Sequence, residues 1–502
     1  WDFPYGHGLL IAIVAGIHVF ISHFAIGGGL YLVITEWRAR RADNREMLAA
    51  LVPHSRFFLL LTLVFGTLTG VSIWFTIGLI SPALTSSLIH IFVWGWAIEW
   101  VFFFVEIAAA MLYYYGWSRL DPKTHLRVGI IYFVAAYLSL IIINGIVAFM
   151  LTPGGWLENG NFWAGFFNPS YWQSVATRTG ICILIAGLVA MFTGTRLKSP
   201  DQRLSMVRNA ALWVLAGAVV IAPSLYWYIS SLPTEIRGLY DGLVPILPQV
   251  LEVSLLTGAV AVGLSILLGL LLPRRLNWPV VLPLLLLTMI SFTTLEWGRE
   301  AARKPFGIPG YIYANGLKVA DTDKLQGASM SQGMWFAGIK QSDTLALGRR
   351  LFQMQCRTCH SNEYYNGLGP KLNGWEREHI RQIIDRLDIM RGRMPAFVGD
   401  ERDRDLLAAH LESLGSRFTQ AEPMTGKQTF HKYCGICHTE RNYRPLAATL
   451  EGLSTDDLND ILDDLQAYSN QMPTFTGSET ERELLIEYIL EFANPKTVAG
   501  GE

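Results

Sequence analysis

The sequence predicts an all-α protein: a polytopic bundle of about eight membrane-spanning helices, followed by two small, duplicated helical domains. Three observations predict it. Of the 502 residues 51% are hydrophobic and only 16% charged, against about 25% charged in a soluble globular chain. The apolar excess is confined to residues 9 to about 296. From residue 347 onward the chain repeats itself at an offset of 78 residues. The net charge of −1 gives no basic footprint for a nucleic-acid partner.

Crossing the hydrocarbon core takes about 20 apolar residues in a helix. Runs of that length lie near 9–34, 56–80, 88–115, 128–151, 174–195, 207–231, 247–272 and 278–297, the last interrupted by Pro283. The first run is too long for a cleavable leader and is expected to insert as part of the bundle. Arg38, Arg40, Arg41 and Arg45 follow the first run; Arg119, Lys123 and Arg127 the third; Arg196, Lys198 and Arg203 the fifth; Arg274 and Arg275 the seventh. The alternate connections 81–87, 152–173 and 232–246 contribute only Arg237. Positive charge marks the cytoplasmic side, so the N-terminus and everything after the eighth run are expected outside, in the periplasm of a bacterial inner membrane.

Ionisable groups inside these runs are costly and mark pathways or sites. His18 lies about 14 Å into the first run by helical rise, with His23 beyond it. His90 precedes Glu99 and Glu106, which are two turns apart and share a face. Glu296 ends the eighth run, just before Arg299. Imidazole in a helical bundle is a usual haem-iron ligand; the bland alternative is structural pairing within the bundle. Arg178 is placed either to pair with a haem propionate or to snorkel outward. Cys182, alone in an apolar run, reads as a small core residue.

The tail carries Cys356-Arg357-Thr358-Cys359-His360 and Cys434-Gly435-Ile436-Cys437-His438. Cys-x-x-Cys-His is the attachment signature of a c-type haem. A single copy is also compatible with a thiol redox pair, but here each histidine is followed 34 residues later by Met-Pro, at Met394 and Met472. Phe352 matches Phe430, Leu372 and Gly374 match Leu450 and Gly452, and Phe397 matches Phe475. Two methionines at one offset point to a sixth ligand, a pairing with histidine that raises haem potential. Domains of 1–297, 298–344 (a linker), 345–418 and 419–498 follow. Arg299 and Arg303, at the linker's start, are placed to meet propionates or simply to connect.

The tail resembles two class I cytochrome c domains. The membrane half resembles subunit I of the cytochrome bd quinol oxidases over roughly 5–310, through Ala15-Gly16-Ile17-His18-Val19-Phe20, Ala97-Ile98-Glu99, Glu106, Gly116-Trp117-Ser118-Arg119-Leu120, Leu295-Glu296-Trp297-Gly298-Arg299 and Arg303-Lys304-Pro305-Phe306. The resemblance implies that His18 is the axial ligand of a high-spin haem in an oxygen-reducing site. It implies that Glu296 is the carboxylate associated with a neighbouring high-spin haem, and that Glu99 and Glu106 feed it protons. It implies two or more non-covalent haems of b or d type beside the two covalent haems c, a related helical membrane subunit as partner, and the quinone pool as electron source. The sequence departs from the family at Gln173, where a low-spin haem histidine is expected, and at 232–246, too short for the family's quinol loop. A different pair from His7, His23, His54 and His90, or rerouting of electrons through the tail, are both open.

Three functions follow: oxygen reduction at a buried haem, fed by quinol or by a periplasmic cytochrome or other redox protein; quinol-to-cytochrome electron transfer; or a non-catalytic relay subunit of a larger respiratory complex.

Overall fold

The computed structural model describes residues 3–494 except 242, 245, 391 and 419–423. The boundary expected at 418/419 and the end expected at 498 border on or lie outside the described residues. Among the described residues, eight helices are long and apolar enough to cross a membrane. In chain order they are α1 (His7–Arg41), α2 (Arg45–Ile80), α4 (Val93–Gly116), α5 (Pro122–Phe149), α6 (Tyr171–Gly194), α7 (Pro200–Ser231), α8 (Ile246–Leu271) and α9 (Trp278–Arg303), with a short α3 (Pro82–Ile91) between the second and third.

Capping explains where several begin. Asn44 accepts from Met47 N, Asp121 from Lys123 N and Thr124 N, Ser199 from Gln202 N, and Asn277 from Val280 N. Proline stands in the first turn of α5, α7 and α9, where its missing N–H costs nothing. Two details differ from the sequence reading. The third spanning helix starts at Val93, so His90 belongs to α3. Pro283 does not end the eighth: α9 runs on to Arg303, which puts Arg299 and Arg303 on the helix rather than in the linker.

The bundle is organised around α1 and α6. Of the most apolar stretch of α6, 78% of residues are buried, against 11% for α2, so α6 is the inner helix and α2 an outer one. Gly27, Gly28 and Gly29 let α1 approach three neighbours: a Cβ on Gly27 would collide with the Cys182 carbonyl of α6, on Gly28 with the Phe58 ring of α2, on Gly29 with the Tyr132 ring of α5. Close backbone approach is how membrane helices gain packing energy without a hydrophobic driving force. Cys182 is a buried packing residue, as its isolation suggested.

Among the described residues, the regular structure of the tail is helical apart from a two-stranded antiparallel hairpin, β1 (Ile312–Ala314) and β2 (Leu317–Lys318), in the linker. Its helices include α10 (Thr344–Gln355), α11 (Arg377–Ile384) and α12 (Glu401–Gly415), then α13 (Gly426–Tyr433), α14 (Thr455–Asp463) and α15 (Glu479–Ala493). Leu317, Met330 and Phe336 of the linker pack into one core with Leu351, Phe352 and Leu407. Asp403 accepts from Met330 N (2.6 Å) and Ser331 N (3.1 Å), tying that segment to α12.

Candidate functional site

In the tail, α10 and α13 each end at the first cysteine of a Cys-x-x-Cys-His stretch. Each crosses the last helix of its repeat at a glycine: a Cβ on Gly348 would strike the Leu406 carbonyl, and one on Gly426 the Leu484 carbonyl. These glycines share the offset of 78, so the duplication carries this close approach in both repeats. His360 Nδ1 lies 3.2 Å from the Asn366 carbonyl and His438 Nδ1 3.0 Å from the Arg444 carbonyl. Asn366 and Arg444 both have left-handed backbones, φ 50° and 42°, which aim those carbonyls. An Nδ1–H donated to a carbonyl leaves the Nε2 lone pair for a metal. Burial holds His360 down at about 4 and pushes the Cys356 and Cys434 thiols up to about 12. The four tail cysteines form no disulfide. Thiol, thiol, imidazole and a later thioether make a donor set that fits covalent haem, with Met394 and Met472 half-buried in their loops.

In the membrane half, α1, α6 and α9 bring His23, Arg178, Glu296 and Arg299 together. Arg178 Nη2 donates to Glu296 Oε1 (2.6 Å) and Arg299 Nε to Oε2 (2.9 Å). Arg178 Nη1 is 3.4 Å from His23 Nε2, and His23 Nδ1 meets the Val19 carbonyl at 2.6 Å. Two guanidinium groups around one carboxylate leave an excess positive charge, chemistry that suits a further anion such as a propionate. His18, on the same helix, has Nδ1 3.1 Å from Thr69 Oγ1, and its ring lies over Gly70, where a Cβ would come within 3.2 Å of Cε1. Glu99 accepts from Ser139 Oγ (3.1 Å) and Glu106 from Tyr132 OH (3.0 Å), so both acids of α4 face α5. His90 stands on α3 with an exposed ring, its Nδ1 2.7 Å from the Ser86 carbonyl. His54 is buried, with Nδ1 2.8 Å from Thr193 Oγ1 and its Nε2 without a hydrogen bond.

One cluster went unnoticed in the sequence. Glu36 is fully buried and accepts from Arg40 Nε (2.7 Å) and Tyr113 OH (2.7 Å), with His125 Nδ1 at 2.8 Å. Of these four, only Tyr113 lies in one of the apolar runs, and it is 77 residues from Glu36, so nothing local joins them.

The two halves meet at the end of α9. The Trp297 and Tyr365 rings are 5.8 Å apart, and Tyr5 packs on Tyr364 at 4.4 Å. Arg393, next to Met394, bonds the Ala302 carbonyl and lies 4.8 Å over the Phe306 ring. The residue after Glu296 therefore touches the loop after His360.

Residues 9–235 match the family model for cytochrome bd terminal oxidase subunit I, and 343–411 and 421–489 each match that for cytochrome c oxidase, cbb3-type, subunit III. The chain carries a cytochrome bd subunit I domain and two cbb3-type cytochrome c domains. The bd match ends before α8, so Glu296 and Arg299 lie beyond it. The chain is 25% identical over 221 residues to a putative cytochrome bd menaquinol oxidase subunit I of Bacillus subtilis, covering 41% of this chain. It spans about half, 48%, of that relative's length. A bd oxidase structure from Geobacillus thermodenitrificans aligns with a TM-score of 0.48 at 18% identity, over 63% of this chain and 91% of that one. With eight spanning helices, this is a multi-pass membrane protein with a bd subunit I domain and cytochrome c domains.

Proposed function

We propose that the chain is a respiratory oxidoreductase that passes electrons between two c haems on the outer membrane face and a buried haem site where oxygen is reduced to water. The observation that carries this reading is the continuous run from the Cys359 loop through Tyr365 and Trp297 to Glu296, Arg178 and His23. The loop charges support an outward-facing tail. Bound haem would supply one-electron chemistry at iron with an open position.

This chain's own residues then have distinct tasks. His18, steered by Thr69, would offer imidazole to iron, and His23, its Nδ1 held by the Val19 carbonyl, would stand beside Arg178. Arg178 and Arg299 would hold anionic charge at the outer end of the site, and Glu296 is either their counter-charge or the iron-associated carboxylate. Glu99 and Glu106, with Ser139 and Tyr132 as hydrogen-bond partners, would hold protons on one face of α4. The exposed apolar faces of α4 and α8, with Trp94, Phe104, Leu256 and Leu271, suit a related helical subunit or lipid.

A second reading, electron export from membrane quinol to an external cytochrome, is favoured by Gln173 and by the short 232–246 connection. Haem counting by pyridine haemochrome, with oxygen uptake and carbon monoxide binding by the reduced protein, tests the first. Absence of both uptake and binding overturns it. Quinol-dependent reduction of an added cytochrome without oxygen uptake establishes the second.

A further inference from the structure

The cytochrome c domains dock head to tail. The second domain meets the first through the end of α13 and the loops at Arg444 and Gln471. Lys432 Nζ donates to the Gly374 carbonyl (3.0 Å), and the Lys432 carbonyl lies 3.2 Å from His379 Nε2. The His379 and Tyr433 rings are 4.8 Å apart. Arg386 Nε donates to the Gln471 carbonyl (3.0 Å), and Arg444 Nη1 approaches the Ile389 carbonyl at 3.3 Å. The first domain presents the same side of itself to the membrane helices. Tyr365 and Arg393, equivalent at offset 78 to Tyr443 and Gln471, touch Trp297 and Ala302.

Each c domain therefore uses one face, around its Met-Pro loop, to sit on the module before it. The first offers a different face, built on α11, to the module after it. A heterologous contact of this kind does not close on itself and leaves its second face available. In the second domain that face is α14 and its flanks. Gly374, His379, Arg386 and Ile389 correspond there to Gly452, Asp457, Asp464 and Ala467, all exposed.

The charge has changed between the two faces. Residues 372–390 carry Arg377, Arg381 and Arg386 among their acids; 450–468 carry Glu451, Asp456, Asp457, Asp460, Asp463 and Asp464 with no lysine or arginine. Asp463 is bridged by Arg482 at 2.7 Å, and Tyr468 beside the acids is 63% exposed.

We propose that the α14 face of the second domain is the docking seat for a small soluble electron carrier whose redox centre is rimmed by lysines. The acids alone would say little; the seat is assigned because the equivalent face of the first domain is occupied by a cytochrome domain. One electron crosses per encounter, the carrier losing it and the second domain's haem gaining it, or the reverse. Complementary charge raises the encounter rate, and salt screens it. The proposal rests on the tail domains carrying haem.

The test uses the full-length membrane protein and the variant E451K/D456K/D460K; Asp457 and Asp464, which cap helices, stay in place. Electron exchange with a lysine-rich soluble cytochrome c and with an acidic one is followed by stopped-flow absorbance, from about 0.01 M to about 0.15 M ionic strength. The wild type should exchange with the lysine-rich carrier roughly tenfold faster or more at low salt, with the advantage shrinking as salt rises. The triple variant should lose that advantage and reverse the salt slope, while a linker control, D321K/D323K, should stay within about twofold of wild type. Equal rates with both carriers, or a triple variant that keeps the wild-type slope, overturn the seat. Covalent haem in both domains together with that result isolates the failure to the seat; absence of covalent haem overturns the parent reading and the seat with it.

Discussion

At the scale of single residues, the strongest signal is also the most local. Histidine and methionine 34 residues apart stand out in both repeats because the duplication supplies the spacing twice, and the pair is proposed as the haem ligand set. What aims each histidine was not legible: the carbonyls of Asn366 and Arg444 accept because two non-glycine residues adopt φ near 50° and 42°, a conformation their side chains do not announce. Replacing Met394 or Met472 by histidine should lower the potential of the corresponding haem by on the order of a few hundred mV. Redox titration would resolve the change as one shifted wave, and an unshifted pair of waves would remove the methionines as ligands. Glu36 belongs to this scale too. Glu36→Gln leaves Arg40, whose side chain is 26% exposed, beside a neutral amide, and losing the charged acceptor of these hydrogen bonds costs about 1–3 kcal/mol. Loss of the folded fraction in detergent at a temperature where wild type survives would register it. An unchanged melting point would mean water already serves those donors.

At the scale of elements, the eight spans were read from apolar length, and all eight are present. Their ends were less legible, because length and hydropathy do not report caps: α9 passes through Pro283 and carries Glu296, Arg299 and Arg303 on one continuous helix. Which glycines matter was invisible as well, since that depends on the neighbour. Gly27→Leu should abolish folding, as its Cβ would enter the Cys182 carbonyl, whereas Gly78→Ala, with no atom within 4 Å of the new Cβ, should be neutral or stabilising by roughly 0.5–1 kcal/mol. Haem retention and melting temperature separate the two outcomes. The contact of α11 with α13 carries a pH dependence. Burial holds His379 down at about 4, opposed by its hydrogen bond to the Lys432 carbonyl and by Glu481, and helped by the Lys432 charge. The docked state thus favours neutral imidazole against an ordinary value near 6.5. Its contribution is complete above pH 6.5 and is lost as pH falls toward 4, by about 3 kcal/mol at most. Hydrogen exchange at the Lys432 and Tyr433 amides should accelerate over that window, and His379→Gln should flatten the dependence.

At the scale of the whole molecule, the arrangement is a series: membrane helices, first c domain, second c domain, each seated on the one before. A series makes a prediction that a branched arrangement does not. If electrons exchanged with soluble carriers enter or leave at the second domain, then C434A/C437A should remove one of the two covalent haems and slow exchange with an external carrier roughly tenfold or more, because the remaining haem lies a whole domain further from the seat. The first domain's haem should keep its spectrum and remain reducible by small dyes, since its core of Leu351, Phe352 and Leu407 closes without the second domain's side chains. Haemochrome counting confirms the deletion and stopped-flow reads the rate. Undiminished exchange would make the first domain an independent port, and the head-to-tail contact at His379, Lys432 and Arg386 would then serve cohesion rather than conduction.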